Sequence, residues 1–174
     1  MKLIGLVGRK RSGKDTVCEM LAGILPNVHR IAFADALKEE LAAAMGVTTA
    51  YIEEHKSDLR LLLQAWGTEW RRNLCSPTYW IDQTRAKIEA APEGAVVVVT
   101  DVRFPNEGDL IREMGGTVTR VYRCDVNAAE DEHASETAMD DYHCDAVIWN
   151  PPGLPQLEDN VRAFATGYDF WRTP

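Results

Sequence analysis

The sequence is short of positive charge. Nineteen Lys and Arg stand against 27 Asp and Glu among 174 residues, a net charge of −8. That balance excludes bulk binding to a nucleic acid polymer, which needs a basic surface. No apolar run approaches the roughly 18 residues of a membrane span, so no membrane partner is expected. Cys18, Cys75, Cys124 and Cys144 are scattered, with no C-x-x-C pair. Free thiols in a reducing cytoplasm follow as the expectation. A zinc site from Cys124, His133, His143 and Cys144 fits no usual ligand spacing. Repeats, low-complexity tracts and long linkers are missing too, so 1–174 is read as a single domain able to bury a core. A strand pattern starts at Lys2, which leaves no place for a signal peptide.

What is there begins at Gly8-Arg9-Lys10-Arg11-Ser12-Gly13-Lys14-Asp15-Thr16. The apolar segment Lys2–Val7 precedes it and reads as one buried strand. Val17, Met20, Leu21, Ile24 and Leu25 follow at helical spacing. Strand, glycine-bounded loop, lysine and helix are the context of a phosphate-binding loop. Gly8 and Gly13 permit the tight path, and the amide groups of Lys10, Arg11 and Ser12 turn inward toward phosphate oxygens. The helix N-terminus adds partial positive charge, and Lys14 reaches the terminal phosphates. The pattern departs in one place: Asp15 stands where a hydroxyl normally binds magnesium, with Thr16 one position later. Either Asp15 supplies oxygen to the metal through water, or it bonds the phosphoryl acceptor.

Further along, His29–Phe33 reads as a second strand and Ala34–Met45 as a helix ended by Gly46. Thr48-Thr49 cap a short helix to about His55. From Ser57 to Leu74 the chain reads as one helix, with Leu59, Leu63, Trp66 and Trp70 on an apolar stripe. Arg60, Gln64, Gly67 and Arg71 form a neighbouring stripe, either a solvated face or the wall of a substrate pocket. Gly67 allows close approach, and the forks of Arg71 and Arg72 suit phosphate. Tyr79–Ala91 is another helix. Ala95–Thr100, with four valines in a row, is a strand buried on both faces. Asp101-Val102-Arg103-Phe104-Pro105-Asn106-Glu107 follows it, where open α/β sheets bind ligands. Asn106 is placed as the cap of a helix to Met114. Strands at Thr117–Arg123 and Cys144–Asn150 and a helix at Leu154–Ala165 complete the alternation. The fold class is α/β: a three-layer sandwich with a mostly parallel sheet of about five strands and helices on both faces.

Chain length, the lack of a guanine-reading Asn-Lys-x-Asp and the arginine-bearing helices narrow the choice among phosphate-loop folds. The sequence resembles the bacteriophage-type deoxynucleoside monophosphate kinases. The resemblance rests on Gly8–Thr16, Phe33–Lys38, Leu63–Arg72, Thr100–Glu107, His133–Glu136 and Asn150, in order along nearly the whole chain. It implies transfer of the γ-phosphoryl group of ATP to a deoxynucleoside monophosphate, with Mg2+ as cofactor and no nucleic acid polymer as partner.

The resemblance also implies roles. Loop amides and Lys14 hold the β- and γ-phosphates, and Asn150 lies where such kinases place an adenine-contacting loop. Asp15, Thr16 and Asp101 are the candidates for organising Mg2+. Asp35, Lys38, Gln64, Trp66, Arg71 and Arg72 line the monophosphate side, in a helical region of about 34–91. Trp66 either stacks on a base or only packs. Arg103 stands at the junction of donor and acceptor and neutralises the transferred group. Arg120 and Arg123 precede a lid-like region, about 124–143, and either closes over the phosphates or is a surface cation. Ser135 and Glu136 position the acceptor. Glu107 is assigned to the substrate side or to its own helix dipole. A cytoplasmic location follows, the host's if a phage carries the gene. The aromatic end, Tyr168-Asp169-Phe170-Trp171, leaves a homodimer open. The competing readings are a kinase of phosphomevalonate, dephospho-coenzyme A or a sugar acid, and a non-catalytic nucleotide-binding protein.

Overall fold

Four consecutive valines mark an interior strand of the sheet. Val96–Val99 are buried in β3 (Val96–Val102). β-Branched side chains favour extended backbone, and a strand covered on both faces needs apolar residues throughout. The computed structural model describes residues 1–124 and 134–167, with Ala134 and Glu136 as backbone alone. Its five-stranded sheet has the order β2-β3-β1-β4-β5, where β1 is Lys2–Val7, β2 Val28–Ile31, β4 Thr117–Tyr122 and β5 Ala146–Trp149. β1 is parallel to β3 and to β4, and β4 is parallel to β5. The connecting helices are α1 (Lys14–Ile24), α2 (Phe33–Met45), α3 (Thr49–Glu54), α4 (Arg60–Gln64), a π-helix (Ala65–Cys75), α5 (Tyr79–Glu89), α6 (Pro105–Glu113), α7 (Ala134–Thr137) and α8 (Leu154–Gly167). This is the parallel α/β architecture that the alternation predicts.

The chain divides into two compact units. The first, Met1–Arg30 with Ala91–Pro174, carries the main core. Val17, Cys18 and Leu21 of α1 and Val161 and Phe164 of α8 pack over Ile4, Leu6, Val98, Val121 and Ile148. Each large side chain contributes about 1.5–3 kcal/mol by leaving water. Side chains alternate along a strand, so Gly5 faces the other side, under α6. A Cβ on Gly5 would stand 2.9 Å from Ile111 Cγ1. Helix layers therefore lie on both faces. The sequence places Asn106 at the cap of α6, but the structure puts Phe104 there and Pro105 in the first turn. Proline has no N–H to leave unbonded at that point. Glu107 does the capping, accepting the N–H of Arg103 at 2.7 Å and of Phe104 at 3.2 Å.

The second unit, Ile31–Ala90, is mostly helical. Leu41, Ala42 and Ile52 form its own small core, with Val47, Leu59, Leu63 and Trp66 against them. Asp35 Oδ2 accepts the N–H of Ala32 at 3.0 Å and so caps α2, which ends at Gly46 in left-handed conformation (φ 68°). Thr48 caps α3 through its hydroxyl, which accepts the N–H of Tyr51. The single α-helix expected over Ser57–Leu74 is not what forms. From Ala65 the backbone winds with i→i+5 bonds, a wider turn than the 3.6-residue period assumes. The apolar stripe therefore leaves the core after Trp66. Trp70 is 42% exposed, whereas Gly67 and Thr68 are buried. Among the described residues no helix is long and apolar enough to cross a membrane.

Candidate active site

β1 ends at Val7 and α1 begins at Lys14, so Gly8–Gly13 must turn within a small space. Gly8 has φ 154°, and a Cβ there would stand 2.6 Å from the carbonyl oxygen of Val121. Gly13 has φ 98° and opens α1 without a side-chain cap. The positive end of α1 thus faces the loop. Lys14 is buried, and its Nζ donates to the carbonyls of Gly8 (2.6 Å) and Arg9 (2.9 Å). Ser12 Oγ is buried and makes no hydrogen bond to the described residues. Asn150 Nδ2 donates to the Ser12 carbonyl at 2.8 Å. Buried lysine, orphaned hydroxyl, glycine turn and helix N-terminus together make a cradle that fits the phosphates of a nucleotide.

Lys10, Arg11 and Asp15 are exposed around this cradle and Thr16 is half-buried in the first turn of α1. Asp101 is half-buried near the end of β3. Beside the loop lies a cleft lined by Val7, Gly8, Arg9, Val102, Arg103, Arg120, Ser135, Met139 and Asp140. Three arginines grip one segment there. Arg103 Nη1 donates to the Ser135 carbonyl at 3.3 Å, Arg120 Nη2 to those of Met139 (2.7 Å) and Tyr142 (3.0 Å), and Arg9 pairs with the Asp140 carboxylate. Arg120 is thereby committed to the backbone after α7. Arg123 follows β4 and is half-buried.

In the second unit, one carboxylate collects four donors. Glu40 Oε1 accepts Trp66 Nε1 (3.1 Å), Arg71 Nε (2.6 Å) and Arg71 Nη2, and Oε2 accepts the Tyr79 hydroxyl (2.9 Å). The Arg71 guanidinium lies 4.7 Å from the Trp70 ring and 4.8 Å from the Tyr79 ring. Its hydrogen bond to Glu40 raises the pKa of Arg71. Burial and then Glu40 raise that of Tyr79. Lys38 pairs with Glu53 at 2.5 Å and holds the Glu53 carboxyl below the usual range. Gln64 is half-buried and Arg72 is buried.

The family model for deoxynucleotide monophosphate kinases matches residues 46–161. A protein of Acanthamoeba polyphaga mimivirus, carrying a provisional deoxynucleotide monophosphate kinase name, is 30% identical over 161 residues, covering 80% of this chain and 82% of its own. The chain belongs to the deoxynucleotide monophosphate kinase family. Two phage proteins match shorter stretches. The deoxynucleoside-5'-monophosphate kinase of Escherichia phage T5 is 46% identical over 54 residues, 31% of this chain and 21% of its own. The deoxynucleotide monophosphate kinase of Escherichia phage RB69 is 30% identical over 105 residues, 59% and 43% respectively. The span matched by the deoxynucleotide monophosphate kinase model starts after the loop at Gly8–Thr16. The phosphate cradle is therefore an observation independent of that match.

The structure of this deoxynucleotide monophosphate kinase family member brings some sequence-derived candidates together and separates others. Trp66 and Arg71 meet at Glu40, and Arg103 meets Ser135. Asn150 holds the loop through Ser12. Asp35 caps its own helix, and Lys38 is paired with Glu53. Glu107, a candidate on the substrate side, is 2% exposed and turns its carboxylate to the backbone of Arg103 and Phe104. It shapes the turn that presents Arg103. The side chain of Glu136, with His133, residues 125–133 of the lid-like region and the aromatic end at 168–171, lies outside the described residues. Sequence reasoning missed Glu40, because it stands within the Ala34–Met45 helix with no motif to mark it. The available signal is its place four residues after buried Ala36, on the inward face of α2.

Proposed function

We propose that this protein transfers the γ-phosphoryl group of ATP to the 5′-phosphate of a deoxynucleoside monophosphate, giving the diphosphate and ADP. The observation that carries this reading is the Gly8–Lys14 cradle, present in a chain of this family. Lys14 holds two carbonyls, and charged phosphate oxygens are stronger acceptors than carbonyls. Lys14 would exchange the carbonyl bonds for the β- and γ-phosphates of ATP, and the buried Ser12 hydroxyl would gain a partner. An oxygen of the acceptor phosphate attacks the γ-phosphorus, the bond to the β–γ bridging oxygen breaks, and ADP leaves. Such a transfer needs positioning and neutralisation of charge more than covalent help.

Arg71 takes the monophosphate in this reading, and Arg72, Gln64, Lys38 and Asp35 are its further candidates on the acceptor side. Arg103 and Arg123 neutralise charge on the phosphoryl group in flight, and Ser135 with Glu136 positions the acceptor. Asp15, Thr16 and Asp101 offer only hard oxygen donors, and no cluster of three carboxylate, His or Cys side chains forms among the described residues. That donor set fits Mg2+, which is bound by one or two carboxylates, waters and phosphate oxygens. Held by Asp15, Thr16 and Asp101, Mg2+ would supply neutralisation of phosphate charge. We place the activity in the cytoplasm, where ATP and deoxynucleotides are found.

The test is an ADP-release assay with ATP, Mg2+ and each of the four common deoxynucleoside monophosphates. Release dependent on at least one of them is expected. Release only with phosphomevalonate, dephospho-coenzyme A or a sugar acid would transfer the protein to another kinase class.

A further inference from the structure

We infer that Glu40 is the positioning residue of the acceptor site, and that the π-helix Ala65–Cys75 exists to let it act. This rests on the reading of Arg71 as a ligand of the acceptor phosphate.

The geometry starts with spacing. Trp66 and Arg71 are five residues apart, and both bond Glu40 Oε1. On an α-helix, five residues advance by about 500°, which leaves the two side chains about 140° apart. They could not reach one carboxylate oxygen from opposite sides of the helix. With i→i+5 winding, residues five apart stand nearly one turn above each other. The π-helix spans Ala65–Cys75 and so contains both residues. π-Helical turns are costly and cluster at functional sites. Here the wider turn has a specific result: the indole N–H and the guanidinium converge on Glu40.

Glu40 then determines which part of Arg71 remains to bind something else. Its carboxylate takes the Nε–Nη2 edge of the guanidinium. The Trp70 and Tyr79 rings lie within 5 Å of the same group. The Tyr79 hydroxyl is itself tied to Glu40, so one carboxylate fixes both the cation and a ring beside it. Among the described residues, the end-on edge, Nη1 with the second N–H of Nη2, is given one partner, the Cys75 sulfur at 4.0 Å. A guanidinium presenting its end-on fork suits two oxygens of one phosphate. A freely rotating arginine would lose side-chain entropy on binding. Glu40 removes most of that loss before the acceptor arrives.

Steady-state kinetics of the full chain test this. Glu40→Gln should raise KM for the accepted deoxynucleoside monophosphate by about tenfold, the loss of a charge-assisted bond, and leave KM for ATP within about twofold. Glu40 acts through Arg71, so Glu40→Gln/Arg71→Gln should be no worse than Arg71→Gln alone. An unchanged acceptor KM in Glu40→Gln, effects that multiply in the double variant, or an equal rise in KM for ATP would overturn the assignment. If Glu40→Gln does not fold, Trp66→Phe removes one donor to Glu40 and keeps an aromatic ring. It should raise the acceptor KM a few-fold, and no change would again overturn the assignment. A wild-type protein that phosphorylates no deoxynucleoside monophosphate removes the functional reading and this inference together. An active wild type with an unaffected Glu40→Gln variant removes this inference alone.

Discussion

The side-chain amide of Asn150 donates to the backbone carbonyl of Ser12 at 2.8 Å, joining the end of β5 to the phosphate loop. The backbone N–H of Asn150 also donates to the carbonyl of Tyr122 at 2.7 Å. The loop after β1 is thus held by a residue at the end of the edge strand β5, on the far side of β4. Asn150→Ala should lower stability by about 1–2 kcal/mol. It should also raise KM for ATP by about tenfold while the acceptor KM moves less than about twofold. Urea unfolding and steady-state kinetics measure the two effects.

Lys14 Nζ donates to the loop carbonyl of Gly8 at 2.6 Å. Lys14→Ala should reduce kcat by about three orders of magnitude or more, the range seen when a transition-state charge partner is removed. Circular dichroism should show the fold retained. Activity near that of the wild type would take the loop out of the mechanism.

Gly8 has no space for a side chain, because its Cβ would meet the Val121 carbonyl oxygen at 2.6 Å. That neighbour is backbone of a central strand and cannot rotate away. Gly8→Ala should destabilise by about 2 kcal/mol or more through overpacking and abolish ATP protection against thermal unfolding. Thermal melts with and without ATP read both.

Glu107 accepts two backbone N–H groups from inside the first turn of α6. Both bonds go to Oε2, and a glutamine amide oxygen in its place is a neutral and weaker acceptor for the same two N–H groups. Glu107→Gln should cost about 1–3 kcal/mol of stability. It should lower kcat more than it raises either KM, because the turn that presents Arg103 loosens.

Tyr142 donates to Asp109 at 2.8 Å and lies 5.0 Å from the Arg112 guanidinium. Burial, then the hydrogen bond to Asp109, pushes its pKa up to about 12. An unfolded tyrosine titrates near 10. The folded pKa is the higher, so this stability is complete below pH ~10 and is lost as pH rises toward ~12. Tyr142→Phe should flatten the fall in stability over that window. Denaturant midpoints measured from pH ~8 to ~12 would show it.

The parallel sheet was legible because its signals are local. The four valines of β3 and the Gly8–Thr16 pattern each carry their meaning in a few adjacent residues. The cap at Thr48 and the stop at Gly46 are equally local. The π-helix was hidden, since Leu59, Leu63, Trp66 and Trp70 satisfy an α-helical period well. What overrides that period is the set of long-range bonds from Trp66 and Arg71 to Glu40, 26 and 31 positions away. Glu107 stayed open between the substrate side and its own helix for a related reason. In sequence it sits among chemically active residues, but its capping geometry depends on the backbone at Phe104. The site candidates best visible in sequence were those whose role is set by loop backbone, such as Lys14. Those set by tertiary pairing, such as Glu40 and Arg120, were not.

The most direct measurement follows the label from γ-³²P ATP in the presence of Mg2+ and each deoxynucleoside monophosphate. Label is expected in the β-position of a deoxynucleoside diphosphate, with one ADP formed for each label transferred and loss of both products in Lys14→Ala. Label found only in inorganic phosphate, or only in a non-nucleotide acceptor, would contradict it.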